Sequence, residues 1–169
     1  MIRSRLIVLA GLFVAAQLAA CGGSPSLAEP APCPPSAPLP TSAATPRVTQ
    51  GRSYFAVLQD RANRLQELWS GFKLAYPVNS FGRDAAFRPG VAKFIDDSTC
   101  AALAIHELQA PTPQLEQAKT QIDIALDAYV VHLKAGREAV RSRNVTDYHA
   151  FWDGLDAKFE AVRAALSRR

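Results

Sequence analysis

Residues 148–166 read YHAFWDGLDAKFEAVRAAL and carry the cleanest amphipathic pattern of the chain. The apolar residues recur at alternating spacings of three and four, which places them on one face of a helix. This face consists of Tyr148, Phe151, Trp152, Leu155, Phe159, Val162 and Leu166. Thr146 precedes the pattern and offers a hydroxyl as the helix cap. The stretch therefore predicts a helix that buries an aromatic face, with Trp152 in the core.

Three further helices are predicted upstream of this one. The same spacing runs through residues 54–76 up to Pro77, with Trp69 on the buried face, and more weakly through residues 91–108. Thr112 and Pro113 mark the start of a third helix of about 30 residues, with a capping hydroxyl and a proline at the first position. No strand pattern of useful length is present. The sequence predicts an all-α fold, an antiparallel four-helix up-down-up-down bundle.

The first 46 residues do not fit this pattern. Arg3 and Arg5 precede an apolar run from residue 6 to residue 20, which is short for a membrane-spanning helix. The run ends in Leu18-Ala19-Ala20-Cys21, which resembles the lipobox of bacterial lipoproteins: a branched residue, two small residues and a cysteine. The expected organisation is a signal peptide at 1–20, a lipidated cysteine with a linker at 21–46, and a helical domain at 47–169.

The resemblance implies that Cys21 becomes the N-terminus of the exported protein. In that family the cysteine carries a diacylglycerol and an amide-linked acyl chain such as palmitate, and two or three chains anchor a protein stably to a lipid bilayer. An aspartate after the cysteine favours retention at the inner membrane of Gram-negative bacteria, but this chain has Gly22. The resemblance therefore implies the outer membrane if the source is Gram-negative.

Residues 23–46 consist mainly of Pro, Ala and Ser, with Glu29 as the single acidic residue and no apolar face to bury. Proline-rich linkers extend at about 3 Å per residue, so this segment could hold the domain up to roughly 70 Å from the lipid. We therefore interpret it as a tether.

The residues that carry chemistry do not assemble into a known catalytic motif. His106, His132 and His149 lie on three different helices, and none has the Glu-x-x-His spacing of di-iron bundles. No glycine-rich phosphate loop or nucleophile elbow is present in the sequence. The formal net charge is +4, of which the signal peptide supplies two. We expect no enzyme activity, no metal, no cofactor and no nucleic-acid partner.

One predicted end of the bundle combines aromatic residues with arginines, a composition enriched at interaction hot spots. The long connection 77–89 and the turn 142–145 are both predicted to lie at this end. Its candidate partner-binding residues are Phe81, Arg83, Phe87, Arg88, Arg141 and Arg143. The alternative is that both phenylalanines fold back over the bundle end while the arginines are solvated.

The third helix carries a second apolar set, Ile124, Ala128, Val131 and Ala135, nearly opposite its main face. A peripheral bundle helix should be polar there. This set indicates a homodimer or partner seam through Ile124 and Val131. Two alternatives remain: the helix packs between neighbours, or the two large residues are exposed singly.

Cys33 and Cys100 are the cysteines that remain after acylation of Cys21. Export places both in an oxidising compartment, and Cys100 is predicted on the exposed face of its helix. The sequence leaves three outcomes open: a Cys33–Cys100 bridge, a disulfide to another chain, or two free thiols.

Together these features predict a membrane-anchored lipoprotein whose helical domain is a protein-binding or assembly module with an envelope protein as partner. By analogy of size, lipidation and helicity alone, it is similar to the pilotins that escort secretion subunits. The alternative function is a carrier of a small apolar ligand within the bundle.

Overall fold

A computed structural model of the chain describes residues 32–34 and 47–167. The predicted signal peptide, Cys21 and most of the linker lie outside these residues. Residues 47–167 form four α-helices and one short 3-10 turn, with no strand in this part of the chain. The helices are α1 (Arg47–Ala75), α2 (Phe87–His106), α3 (Pro113–Arg141) and α4 (Val145–Ser167), and the turn is Val78–Ser80. The all-α class is therefore confirmed.

The helices pack through the predicted apolar faces. Buried side chains from all four helices form one core, which includes Leu58, Leu65, Phe72, Phe87, Ile105, Leu126, Tyr129, Leu133, Tyr148, Phe151, Leu155 and Phe159. Phe72 of α1 stacks on Phe94 of α2 at 4.0 Å between ring centroids. The ring centroids of Tyr129 of α3 and Phe159 of α4 lie 6.1 Å apart. Aromatic contacts therefore link α1 to α2 and α3 to α4.

The helix ends differ from the sequence prediction at several places, and α1 begins at Arg47, before the predicted residue 54. α2 begins at Phe87, four residues before the predicted start, because Pro89 and Gly90 fall within its first turn, where a missing N–H costs no hydrogen bond. α4 is capped by Asn144, whose Oδ1 accepts hydrogen bonds from the backbone N–H of Thr146 and Asp147 at 3.0 and 3.2 Å. The expectation of a Thr146 cap is wrong. The predicted α3 start is confirmed, since the Thr112 hydroxyl accepts from the Leu115 N–H.

Trp69 and Trp152 were expected to be largely buried in the core, and both are partly buried at its edge. The indole of Trp69 stacks on Phe159 at 4.9 Å and its N–H donates to Asp156 at 3.3 Å. The indole N–H of Trp152 donates to the carbonyl of Tyr76 at 2.8 Å. The indole N–H of a buried tryptophan needs a hydrogen-bond acceptor. Both tryptophans therefore lie at the edge of the core, where such acceptors are available, rather than at its centre.

α3 and α4 are in close contact at Gly136. A Cβ atom at this position would lie 2.5 Å from two ring atoms of Phe151, a residue fully inside the core. At Gly71 of α1, by contrast, a Cβ would have nothing within 4 Å. The glycine at 136 is therefore required by helix packing, whereas the one at 71 is not.

Candidate functional site

The α1–α2 connection and the α3–α4 turn meet at one end of the domain. The ring of Phe81 lies 5.2 Å from that of Tyr148. In the same region Tyr148 donates from its hydroxyl to the carbonyl of Tyr76 at 3.5 Å. The structure thus brings together the two segments that the sequence assigned to one end.

The two phenylalanines at this end, Phe81 and Phe87, pack against the hydrophobic core. Phe87 is fully buried, and its ring contacts those of Phe81 and Tyr148 at 5.4 and 5.2 Å. Phe81 is half-buried over this pair. The assignment of Phe87 to a partner-binding surface is therefore wrong, because a partner could not reach the ring without unfolding the end of α2. Phe81 covers the bundle end, as the alternative interpretation expected.

The arginines at this end occupy different environments. Arg83 and Arg143 are exposed, and Arg143 has a left-handed backbone, with φ of 57°, that reverses the chain after α3. Arg141 is exposed and binds Glu138 through two hydrogen bonds of 2.8 and 2.6 Å, which lower the pKa of Glu138 and raise that of Arg141. Arg88 is half-buried, and its Nε atom has no hydrogen-bond partner among the described residues. Arg83, Arg141 and Arg143 are therefore exposed to solvent at this end of the domain.

A charged cluster that the sequence did not predict lies at the opposite end of α2. The side chain of Lys119 is buried, and its Nζ donates to the carbonyl of His106 at 2.7 Å and to both carboxylate oxygens of Asp123 at 2.6 and 2.7 Å. The His106 ring also approaches Asp123 and Asp127, with N–O distances of 3.9 and 3.8 Å. The last carbonyls of a helix have no hydrogen-bond partner within the helix. Lys119 of α3 provides a donor for one of them, the carbonyl of His106 at the end of α2.

The other two histidines also lie at helix contacts or on the surface. The Nε2 of His132 is 2.8 Å from the carbonyl oxygen of Phe151, and His149 is half-buried beside Tyr148. Within residues 32–34 and 47–167, no group of three or more His, Cys, Asp or Glu side chains could hold a metal ion. The histidines that the sequence singled out therefore do not converge on a shared site in this part of the chain.

Two buried hydroxyl groups face the α2–α3 contact. Burial raises the pKa of Tyr129 well above its usual range, and the nearby hydroxyl of Ser98 partly offsets this effect. Neither oxygen makes a hydrogen bond of good geometry with another described residue. Burial likewise raises the pKa of Tyr148, to about 12. Both phenols are therefore neutral at physiological pH.

The linker contacts the domain through a disulfide. Cys33 and Cys100 are bonded, with 5.3 Å between their Cα atoms, a separation typical of protein disulfides. The bridge attaches residues 32–34, which are exposed, to the outer face of α2.

The outer face of α3 carries an exposed apolar strip, which we define as Ile124, Ala128, Val131 and Ala135. Ile124 is 59% exposed and Val131 66% exposed, and both alanines are exposed. Within residues 47–167, no neighbouring helix covers these four side chains, so the interpretation that α3 packs between neighbouring helices of the domain at this face is wrong. A shallow depression of about 500 Å³, open to solvent, lies elsewhere, along residues 110–120.

Compared with protein-family models, curated proteins and solved structures, the chain matches none of them. In the part of the chain that the structure describes, no helix is both long enough and apolar enough to cross a membrane.

Proposed function

We propose that the protein is an exported lipoprotein, anchored to the outer membrane through acylated Cys21, whose helical domain binds an envelope protein. The domain is an antiparallel up-down-up-down bundle that serves as a binding or assembly module, not as a catalyst. The observation that carries the proposal is the Cys33–Cys100 bridge taken together with the lipobox that precedes it.

The bridge supports export because protein disulfides persist in oxidising compartments and are rare in the cytosol of most organisms. Leu18-Ala19-Ala20-Cys21 supports anchoring on independent grounds, since its resemblance to the lipobox lies in the sequence alone and does not depend on the bridge. The two features lie only twelve residues apart in the sequence, between Cys21 and Cys33. A tether anchored at one and bridged at the other would span at most about 40 Å at the extension of a proline-rich chain.

Side-chain contacts support the antiparallel order of helices. In each consecutive pair, residues late in one helix contact residues early in the next, and the reverse. The contacts are Phe72 with Phe94 and Arg61 with Ala104, Asp96 with Arg137 and His106 with Lys119, and His132 with Phe151 and Tyr129 with Phe159. The ammonium of Lys73 lies 3.0 Å above the Trp152 ring and 3.0 Å from Asp156, which brings α4 back against α1.

The exposed arginines support a binding role for the end where the connections meet. Arg83, Arg141 and Arg143 are exposed there, at the end of the domain where the rings of Phe81 and Tyr148 are in contact. Arginine is enriched at the contact residues of protein interfaces because its planar fork pairs with carboxylates and carbonyls. We therefore expect an acidic or carbonyl-rich surface on the partner protein.

Metabolic labelling with a palmitate analogue tests the anchor. The chain should be labelled in a lipoprotein-processing host, and Cys21→Ser should abolish the label and leave an unprocessed precursor. The double variant Cys33→Ser/Cys100→Ser is the matched control and should be labelled as strongly as the original chain. A Cys21→Ser variant that is processed to the same size and sediments with the membrane would refute the anchor.

Crosslinking in the native envelope, followed by mass spectrometry, tests the binding role. An envelope protein should be captured, and Arg83→Glu/Arg143→Glu should reduce its recovery, while the control Arg163→Glu on α4 should not. Equal recovery from all three chains would contradict the assignment of this end. If native mass spectrometry of the purified protein instead shows a bound apolar molecule, the carrier function replaces the binding module.

A further inference from the structure

The apolar strip of α3 lies on the face of the helix that the core does not use. Its members follow one another at four, three and four residues, so they form a line about 16 Å long at a helical rise of 1.5 Å per residue. Gln121 and Glu138 bound the line at its two ends, and both are exposed polar residues. The strip is therefore a defined seam and not a scatter of single apolar residues.

We propose that this strip pairs with the same strip of a second copy of the chain, with the two α3 helices antiparallel. In this register Ile124 lies opposite Ala135 of the second copy, and Ala128 lies opposite Val131. Each layer then combines one large and one small side chain, and two-fold symmetry repeats every layer. A parallel pairing would instead place Ile124 against itself and Ala128 against itself, which would leave the alanine layers unfilled.

Charges beside the strip favour the same partner and the same orientation. Asp127 and Lys134 are both exposed and flank the strip along one edge of α3. In the antiparallel register, Asp127 of each copy lies next to Lys134 of the other, so the pair forms twice. The nearest described contact of Asp127 in its own chain is the ring of His106 at 3.8 Å. The surface is therefore complementary in shape and in charge to a copy of itself.

The size of the seam sets the strength of the dimer. Four side chains on one helix bury much less than the roughly 1,600 Å² of a standard interface, so the dimer should be weak in dilute solution. Anchoring both copies to one membrane raises their effective concentration. This last step rests on the proposed lipid anchor. The Cys33–Cys100 bridge joins the tether to α2 between its ends, so domains that point in opposite directions can still reach one bilayer.

Charge reversal tests the pairing in the full chain, purified in detergent and examined by sedimentation at increasing protein concentration. Asp127→Lys and Lys134→Asp should each weaken the dimer by about tenfold, because each variant replaces two attractive contacts by two repulsive ones. The double variant Asp127→Lys/Lys134→Asp should restore the original affinity. Asp153→Lys, an exposed charge reversal on α4, is the control and should leave the dimer unchanged. A chain that remains monomeric at all concentrations would overturn the proposal.

Cysteine crosslinking with a short bismaleimide tests the register. Ala128→Cys should crosslink to itself, because the two-fold axis passes between residues 128 and 131. Ile124→Cys should not crosslink alone but should do so when mixed with Ala135→Cys. Self-crosslinking of Ile124→Cys, or capture of a different polypeptide in place of a second copy, would refute the proposed pair. Both assays work in detergent and on chains that carry Cys21→Ser, which have no thiol at residue 21 for the crosslinker. A positive result therefore does not depend on acylation, which separates this proposal from the anchor.

Discussion

Replacing Lys119 with Met would remove the charged group that joins α3 to the end of α2. Methionine keeps an unbranched side chain of similar length, so it can fill the same space. It cannot donate the hydrogen bonds that the ammonium gives to the His106 carbonyl and to Asp123. The variant therefore isolates the polar contribution of a side chain that is only 4% exposed.

The size of the effect follows from the groups left behind. A buried acceptor without its donor costs about 1–3 kcal/mol. The Asp123 side chain is 23% exposed and can regain water, and the variant no longer pays to bury an ammonium. We expect a net loss of about 2 kcal/mol in the free energy of unfolding.

The matched control is Lys93→Met. Lys93 pairs with Asp97 at the same spacing of four residues in α2, but its side chain is 75% exposed. Exposed helical pairs of this kind contribute about 0.3–0.5 kcal/mol. Urea unfolding followed by circular dichroism measures both variants, with an unchanged denaturant slope as evidence of two-state behaviour. Equal losses for the two variants would refute the reasoning.

A close helix contact, the disulfide and a buried phenol can be tested by the same unfolding assay. Gly136→Ala should lose about 1–2 kcal/mol because overpacking outweighs the better helix propensity, whereas Gly71→Ala should gain about 0.5–1 kcal/mol. Removing the Cys33–Cys100 bridge should cost at most about 4 kcal/mol, since it frees a loop of 67 residues in the unfolded chain. The pKa of Tyr148 rises from 10.0 to about 12 on folding. The free energy of unfolding should therefore fall as pH rises through this interval, by at most about 3 kcal/mol for this residue. The Tyr148→Phe variant should lack this part of the pH dependence. The first prediction is contradicted if Gly136→Ala gains stability, and the second if stability is unchanged without the bridge. The third is contradicted if Tyr148→Phe loses as much stability at alkaline pH as the original chain.

Helical periodicity predicted most of the core because the spacing of apolar residues alone fixes which face of a helix is buried. Tyr148, Phe151, Leu155 and Phe159 are buried as their pattern in α4 predicts. The start of α2 was misplaced because Pro89 and Gly90 usually mark a break, and only the fold around them shows that they lie in a first turn.

The candidate site was predicted less completely than the fold. The sequence placed the two connections at one end but could not show that Phe87 points into the core, since its burial depends on contacts with Phe81 and Tyr148. The exposed strip of α3 was visible as a second apolar periodicity. That Ile124 and Val131 lie uncovered depended on where the other three helices pack.

Two lysine–aspartate pairs show where the information in the sequence ends. Lys93 with Asp97 and Lys119 with Asp123 have the same residue types at the same spacing, so the sequence determines for both that a helical ion pair can form. Only the tertiary structure decides that the first lies in solvent while the second is buried against the end of α2. The physical reason is that helical spacing is a local property of the chain. Burial depends on a neighbouring helix end, here the His106 carbonyl thirteen residues away, which folding brings to the ammonium.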